Sequence, residues 1–572
     1  MQLVNARRRG LTRRLRRGAV LAAWALASCS PRVVAQSAPG PPVETAGAAS
    51  APASALGDLG TFHRAITTSS QKAQSSFDQG MRLLWALNLE EAQRSFEEAA
   101  KLDSSCAGCC WGAALSLGPS IDLRALPERT RAAHRWIAQA LAVRSGASPV
   151  EQALIEALAR RYADPPPTDR AGQTTLDQAY ADAMREVAKR FPDDDDVQAL
   201  CVEALMGLRP HDYWTRDGAP QPGSLEIVST LEKILKRRPK HPGANHDYIL
   251  ALEASPHPEK ALAAAERLAS LMPGSGHMVH MPSHIYQRLG RYEEAAALDL
   301  RAVEADRHTI ANTNPRGFFL AYSAHDFHCL SSTALMRGRA AEAIATAREA
   351  AAQVPADLLK SRPELGGLDF LHADLILSQA RFSLWDDVLE VPYPGEGFPY
   401  VLGIWRYARG LALAGKSQLA DAEVELDSLR AVAAATPPDA MEDVNSARAL
   451  LGIALESLTG MMAFRRGKVD EAVSHLEQAV RGEDSLSFAI PSDWVNPVRH
   501  LLGAVLLQSE RPAPAEAVFR EDLERHPENG WALYGLYESL RQQGKQAEAE
   551  KTLQRFRRAW AGADVTSSVM RF

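Results

Sequence analysis

Leu289-Gly290-Arg291-Tyr292-Glu293-Glu294-Ala295, followed by Ala302 and Asp306, is the stretch that decides the fold. A glycine, free to take a left-handed turn, is followed by small residues at spacings that return to one helical face. With Gly290 as place 15 of a repeat, Tyr292 falls at 17, Ala295 at 20 and Ala302 at 27, and counting back puts Ser283 at 8 and Tyr286 at 11. A bulky side chain at 8, 20 or 27 would push two antiparallel helices apart, so each small residue has a packing reason. The pattern predicts a helix, a tight turn and a second helix lying back on the first.

The frame recurs along the chain. Gly80, Leu83, Ala92, Phe96 and Ala99 fill it near the start, and Gly338, Ala343, Ala350 and Pro355 in the middle. Gly460, Gly467, Ala472 and Ala479, then Gly503, Ala515, Phe519 and Pro527, then Gly544, Ala549 and Leu553 fill it toward the end. It resembles the tetratricopeptide repeat of about 34 residues. One such unit cannot bury its apolar face alone, so stacked units are expected to form an all-α solenoid, a superhelix with an extended concave surface. Composition agrees: 46% of the residues are hydrophobic but only 6% aromatic, which suits close-packed helices better than strands. The expected organisation is a targeting segment over 1–35, a flexible Ala/Pro/Gly/Ser tether over 36–60, a first repeat array over 61–355, irregular helical pairs over 356–440 where Pro392, Pro394 and Pro399 break the frame, and a second array over 441–572.

Most of the mature chain, roughly residues 75 to 572, also resembles a broad family of bacterial tetratricopeptide-repeat proteins. The matching residues include Cys106-Ala107-Gly108-Cys109-Cys110-Trp111-Gly112, His241-Pro242-Gly243-Ala244-Asn245-His246, Gly276-His277 through His280-Met281-Pro282-Ser283-His284-Ile285, His325 to His328, and Pro527-Glu528-Asn529-Gly530-Trp531. The resemblance implies a fold and no particular activity. Leu250 stands where relatives often carry a second histidine, and Asp326 where asparagine is usual.

The first residues read as an export signal. Seven arginines between Arg7 and Arg17 precede the apolar run Ala19 to Ala27, which is too short for a permanent membrane span. Leu26-Ala27-Ser28-Cys29 resembles a bacterial lipobox, with Cys29 as the lipidated mature terminus; the alternative is cleavage after Val33-Val34-Ala35. Either predicts a periplasmic protein, touching a membrane only through a lipid anchor. Losing the seven arginines takes the formal charge from −6 to −13, which disfavours nucleic acid as a partner. Cys106, Cys109, Cys110, Cys201 and Cys329 are too few and too scattered for a disulfide framework, and are expected to pack, with Cys106 and Cys109 spaced for one local bridge.

Nine of the sixteen histidines lie between His241 and His328. With Pro273 and Pro355 each closing a repeat at place 32, His246 falls at place 5, His277, His280 and His284 at 2, 5 and 9, and His325 and His328 at 2 and 5. Places 2, 5, 9 and 12 share one side of the first helix, the side that lines the concave groove. Six imidazoles there suit a transition metal such as Zn, Cu, Ni or Fe. Glu203 at place 9 and Glu253 at place 12 are candidate further ligands or a general base, and Asp326 a carboxylate that would orient an imidazole. Pro282 raises the expectation that His277 and His280 sit in a loop. Two functions are therefore open: a scaffold that holds a protein or peptide in its groove, and a metal-binding protein or metalloenzyme. No Gly-rich phosphate loop, nucleophile elbow or HExxH motif is present, which argues against the common nucleotide and hydrolase chemistries those motifs serve and leaves room for a novel site.

Overall fold

The computed structural model describes residues 56–566 except 122, 314, 316 and 443. The signal segment, Cys29 and most of the expected tether lie outside the described residues. Leu56 is already buried, and the Gly274 amide donates to the Asp58 carbonyl at 2.8 Å, so the chain is packed from the first residue described.

Antiparallel helix pairs follow one another. In the first, Gln71–Trp85 is capped by Ser70, whose hydroxyl accepts from the Ala73 amide, and Leu89–Leu102 is capped by Asn88. The turn between the helices needs one left-handed residue. Gly290, Gly338, Gly467 and Gly544 supply it, and in other pairs Leu87, Ser383, Ser417 and Glu510 adopt the same positive φ without glycine's freedom.

Stacking of one pair on the next is fixed by a knob. Phe96, at place 24 on a second helix, lies between Gly80 of its own pair and Gly112 of the next, and a Cβ on either glycine would collide with the ring. Phe519 sits in the same way between Gly503 and Gly535. The glycines let a whole ring fill the junction where two first helices and one second helix meet.

The segment around 356–440 is helical but uneven. The helix Phe370–Arg381 is followed by the short Trp385–Glu390, then a break holding Pro392 and Pro394. Pro399 opens the next helix, Pro399–Gly415, at a position where its missing N–H costs nothing. Met441–Glu442 and Asn445–Ser446 pair as the only strands among the described residues. One described helix, Ala447–Arg465, is long and apolar enough to cross a membrane; 61% of its apolar window is buried against its neighbours.

Repeats distant in sequence also touch. The Trp531 indole donates to the Leu335 carbonyl at 2.9 Å, Trp560 lies against Gly338 and Gly530, Trp85 lies against Gly243, and the Phe318 amide donates to Glu90 at 3.0 Å. His246, His277, His280, His284 and His328 are therefore buried and His325 half-buried, where the repeat pattern predicts an extended concave surface. Large indoles seated on glycine make these approaches close. The apolar core falls into two clusters, one running to Ile285 and the other beginning at Ala296, and the histidines lie at the seam.

Candidate metal centre

His277 and His280 are not in a loop. They lie on the helix Gly276–His280, which passes through Met281 in right-handed geometry into Pro282–Arg288, so Pro282 is a first-turn residue and His280 and His284 stay one turn apart on one face. Gly276 has no side chain because the Asp306 carboxyl packs directly against its backbone.

Adjacent first helices meet with a stagger of three places, so that place 5 of one repeat lies beside place 2 of the next. His246 meets His277 in this way, Nε2 to Nε2 at 3.1 Å, and His280 meets His325 with ring centres 5.0 Å apart. Glu253 at place 12 reaches His284 at place 9, and His284 in turn faces Cys329 at place 6. His280, His284, His325 and Cys329 each bring one ligand atom to within 4.8 Å of the other three, and the Cys329 sulfur is 3.6 Å from His325 Nε2. His277, His280 and Asp326 form a second group within the same limit.

Four candidates belong to neither group, and His246 is one of them, in contact with His277. His328 continues the ladder at place 5, but the ring beside it in the next repeat is Phe370, and its Nδ1 lies 2.6 Å from Asp374. Glu203 lines a separate cleft beside Arg161 and Tyr180. Glu253 is present at the centre as the partner of an imidazole, not as a member of either ligand group.

A carboxyl group stands beside three of the imidazoles. His246 Nδ1 is 2.9 Å from Asp247, His280 Nδ1 3.3 Å from Asp299 and His284 Nδ1 2.5 Å from Glu253. An imidazole that donates from Nδ1 to a carboxylate presents its Nε2 lone pair, the arrangement that orients histidines on a metal. The Nε2 atoms of His280 and His284 are buried and have no hydrogen-bond partner. Burial, and then the neighbouring imidazoles, hold His280 well below the usual imidazole range, so the ring is the neutral, ligating form.

Three buried carboxyls stand close by with no lysine or arginine paired to them among the described residues. Burial raises Asp299 well above the usual carboxylate range despite hydrogen bonds from Ser283 and Thr333. Burial and then Asp306 do the same to Asp326, while Asp306 is pushed up by burial to about 7. Burial thus favours their protonated forms, and a bound cation would favour the ionised ones.

Asp299 and Cys329 are the residues sequence reasoning missed, and both carried a signal. Asp299 stands at place 24, where Phe96 and Phe519 fill the junction, and Cys329 stands at place 6, where Gly112 and Gly535 receive the ring. In the repeat that carries His277, His280 and His284 the apolar knob has been replaced by a carboxyl, while the repeats on either side have Ala265 and Ala347 at that place.

The fold is a tetratricopeptide-repeat solenoid. It is similar to the human IFIT1 dimer solved with m7Gppp-AAAA (13% identity, TM-score 0.33, covering 83% of this chain and 94% of that one) and to yeast Tom70 (13%, 0.32, 85% and 96%). It is also similar to the Cut9–Hcn1 hetero-tetramer of the APC/C (13%, 0.29, 87% and 89%). These likenesses are of fold alone. No protein-family model and no curated protein matches the sequence.

Proposed function

We propose that this scaffold is a transition-metal-binding protein, with one ion held by His280, His284, His325 and Cys329. The observation that carries the proposal is the pair of buried Nε2 atoms on His280 and His284, each without a hydrogen-bond partner while its Nδ1 faces a carboxylate. Three imidazole nitrogens and a thiolate are borderline-to-soft donors that suit zinc or copper and are poor for magnesium or calcium. The helix ladder supplies rigidity, since each ligand is on a packed helix rather than a loop. A protein or peptide partner of the scaffold would dock away from the histidine face, most of whose lining is buried.

The test is metal analysis of protein purified without a histidine tag. Wild type is expected to carry a stoichiometric ion, and His284→Ala to lower its affinity by at least about tenfold, the scale on which even supporting residues act. Equal metal content in wild type and in the double variant His280→Ala/His284→Ala would refute the proposal.

Export and lipid anchoring belong to the same proposal. The basic and apolar segments ahead of Cys29 support them, and so does the Cys106–Cys109 disulfide, which suits an oxidising compartment. Cells fed labelled palmitate are expected to label the wild type and not Cys29→Ala; a soluble wild-type product beginning near Gln36 sinks the anchor.

A further inference from the structure

We propose that residues 56–60 form a gate over the route into the histidine centre, and that opening of this short segment sets how fast the ion enters and leaves. The proposal rests on the metal-binding reading and adds to it the control of access.

The ligands are shut away from solvent. His280 has no exposed surface and His284 is buried beside it, so an ion reaches them only when part of the chain moves. A cleft of about 370 Å³, partly open to solvent, leads toward them. It is lined on its polar side by His277, Ser275, Asp306 and Tyr322, and a ligand atom of His277 lies within 4.8 Å of those of His280 and Asp326. One imidazole therefore separates the cleft from the centre. Leu56 and Leu59 supply part of the apolar lining, and the rest of the wall belongs to packed helices and the turns between them.

Those two leucines are the wall that can move. From Leu56 to Ile66 the chain has neither helix nor strand and runs along the starts of successive first helices. Its later part is pinned. The Phe62 ring packs edge-on against Trp85 and His241, the buried Arg64 guanidinium donates to Asp194 and to Asp196 at 3.0 Å each, and the Thr67 amide donates to Glu151 at 2.9 Å. Its earlier part is held by the Gly274 amide, which donates to the Asp58 carbonyl at 2.8 Å, and by the close approach of Gly57 to Gly274 and of Gly60 to Leu271. Gly57 and Gly60 have φ of 72° and 75°, and glycine leaves such a conformation for others at little cost. A segment anchored downstream and hinged on glycine opens at its lightly tied end first. Swinging residues 56–60 outward takes both leucines from the cleft and bares His277.

Uptake of Co2+ by the metal-free full chain, and its loss to excess EDTA, test the gate. A methyl on Gly274 would lie 2.4 Å from the Asp58 nitrogen and 2.7 Å from the Gly57 carbonyl carbon, so Gly274→Ala pushes the segment off by its own backbone. Leu56→Ala/Leu59→Ala thins the same wall without touching the chain that leads into His277, and guards against a distorted site in the first variant. Both are expected to raise the uptake rate and the loss rate by one common factor of about tenfold, equivalent to about 1.4 kcal/mol of lost contact, with the dissociation constant unchanged. Wild-type rates in both variants overturn the gate, and so does faster loss with unchanged uptake, which marks a weakened site; in either case the bound ion leaves the metal-binding reading standing. Wild-type protein that takes up no ion overturns both.

Discussion

Phe519→Ala is expected to destabilise the C-terminal repeats by about 3–5 kcal/mol. The ring is fully buried and clasped by Gly503 and Gly535, and neither helix can collapse into the space without losing its own contacts. The loss should be read locally, as hydrogen-exchange protection that falls across Pro512–Arg525 and Gly530–Gln542, because long repeat arrays need not unfold in one step. The complementary change, Gly535→Ala, drives a methyl into the same ring and should cost about 1–3 kcal/mol. In the Phe519→Ala background that methyl falls into the cavity, so the two changes should couple by more than about 0.5 kcal/mol. Strict additivity would show that the glycine is there for some other reason.

Filling the histidine centre should have an effect of similar size. Zn2+ at a thousandfold excess over its dissociation constant adds about 4 kcal/mol to the state that binds it. The proposed ligands lie on different repeats, His280 and His284 on Gly276–His280 and Pro282–Arg288 and His325 and Cys329 on Phe319–Met336, so the gain should raise the thermal midpoint of both cores. His284→Ala/Cys329→Ala will start from a lower midpoint, and the informative quantity is the shift on adding Zn2+. An equal shift in wild type and variant would place the stabilising ion elsewhere.

The repeat and its turn were legible because each unit satisfies its packing with a few small residues at fixed spacing, and spacing is what a sequence displays. The inward face of each first helix was legible for the same reason, and the structure brings His246, His277, His280, His284 and His325 side by side on it. What a single repeat does not display is how it sits on the next. The stagger of three places puts Cys329 opposite His284 and Phe370 beside His328, so a residue off the expected face joined the centre and one on it was lost. Glu203 fell away because Arg161 and Tyr180 build a different environment around it. Asp299 lies on a second helix, away from the concave face of the first helices, although a carboxyl in place of the Phe knob is visible in the frame.

The contacts between distant repeats bear on how the chain reaches its native state. A solenoid with only nearest-neighbour interfaces can nucleate anywhere and grow by local steps. Here the Trp531–Leu335 bond closes a loop of 196 residues, and the Arg216 guanidinium, 3.0 Å from the Leu486 carbonyl, closes one of 270. Such contacts raise the mean sequence separation of the native pairings, and with it the entropy lost before they reward the chain, so folding should be slower than in a linear array of the same length. They also make the ends mutually dependent. Truncation before Gly530 takes Trp531 and Trp560 from the backbones of Leu335 and Gly338, so losing the C-terminal repeat should loosen the middle of the chain as well as its end.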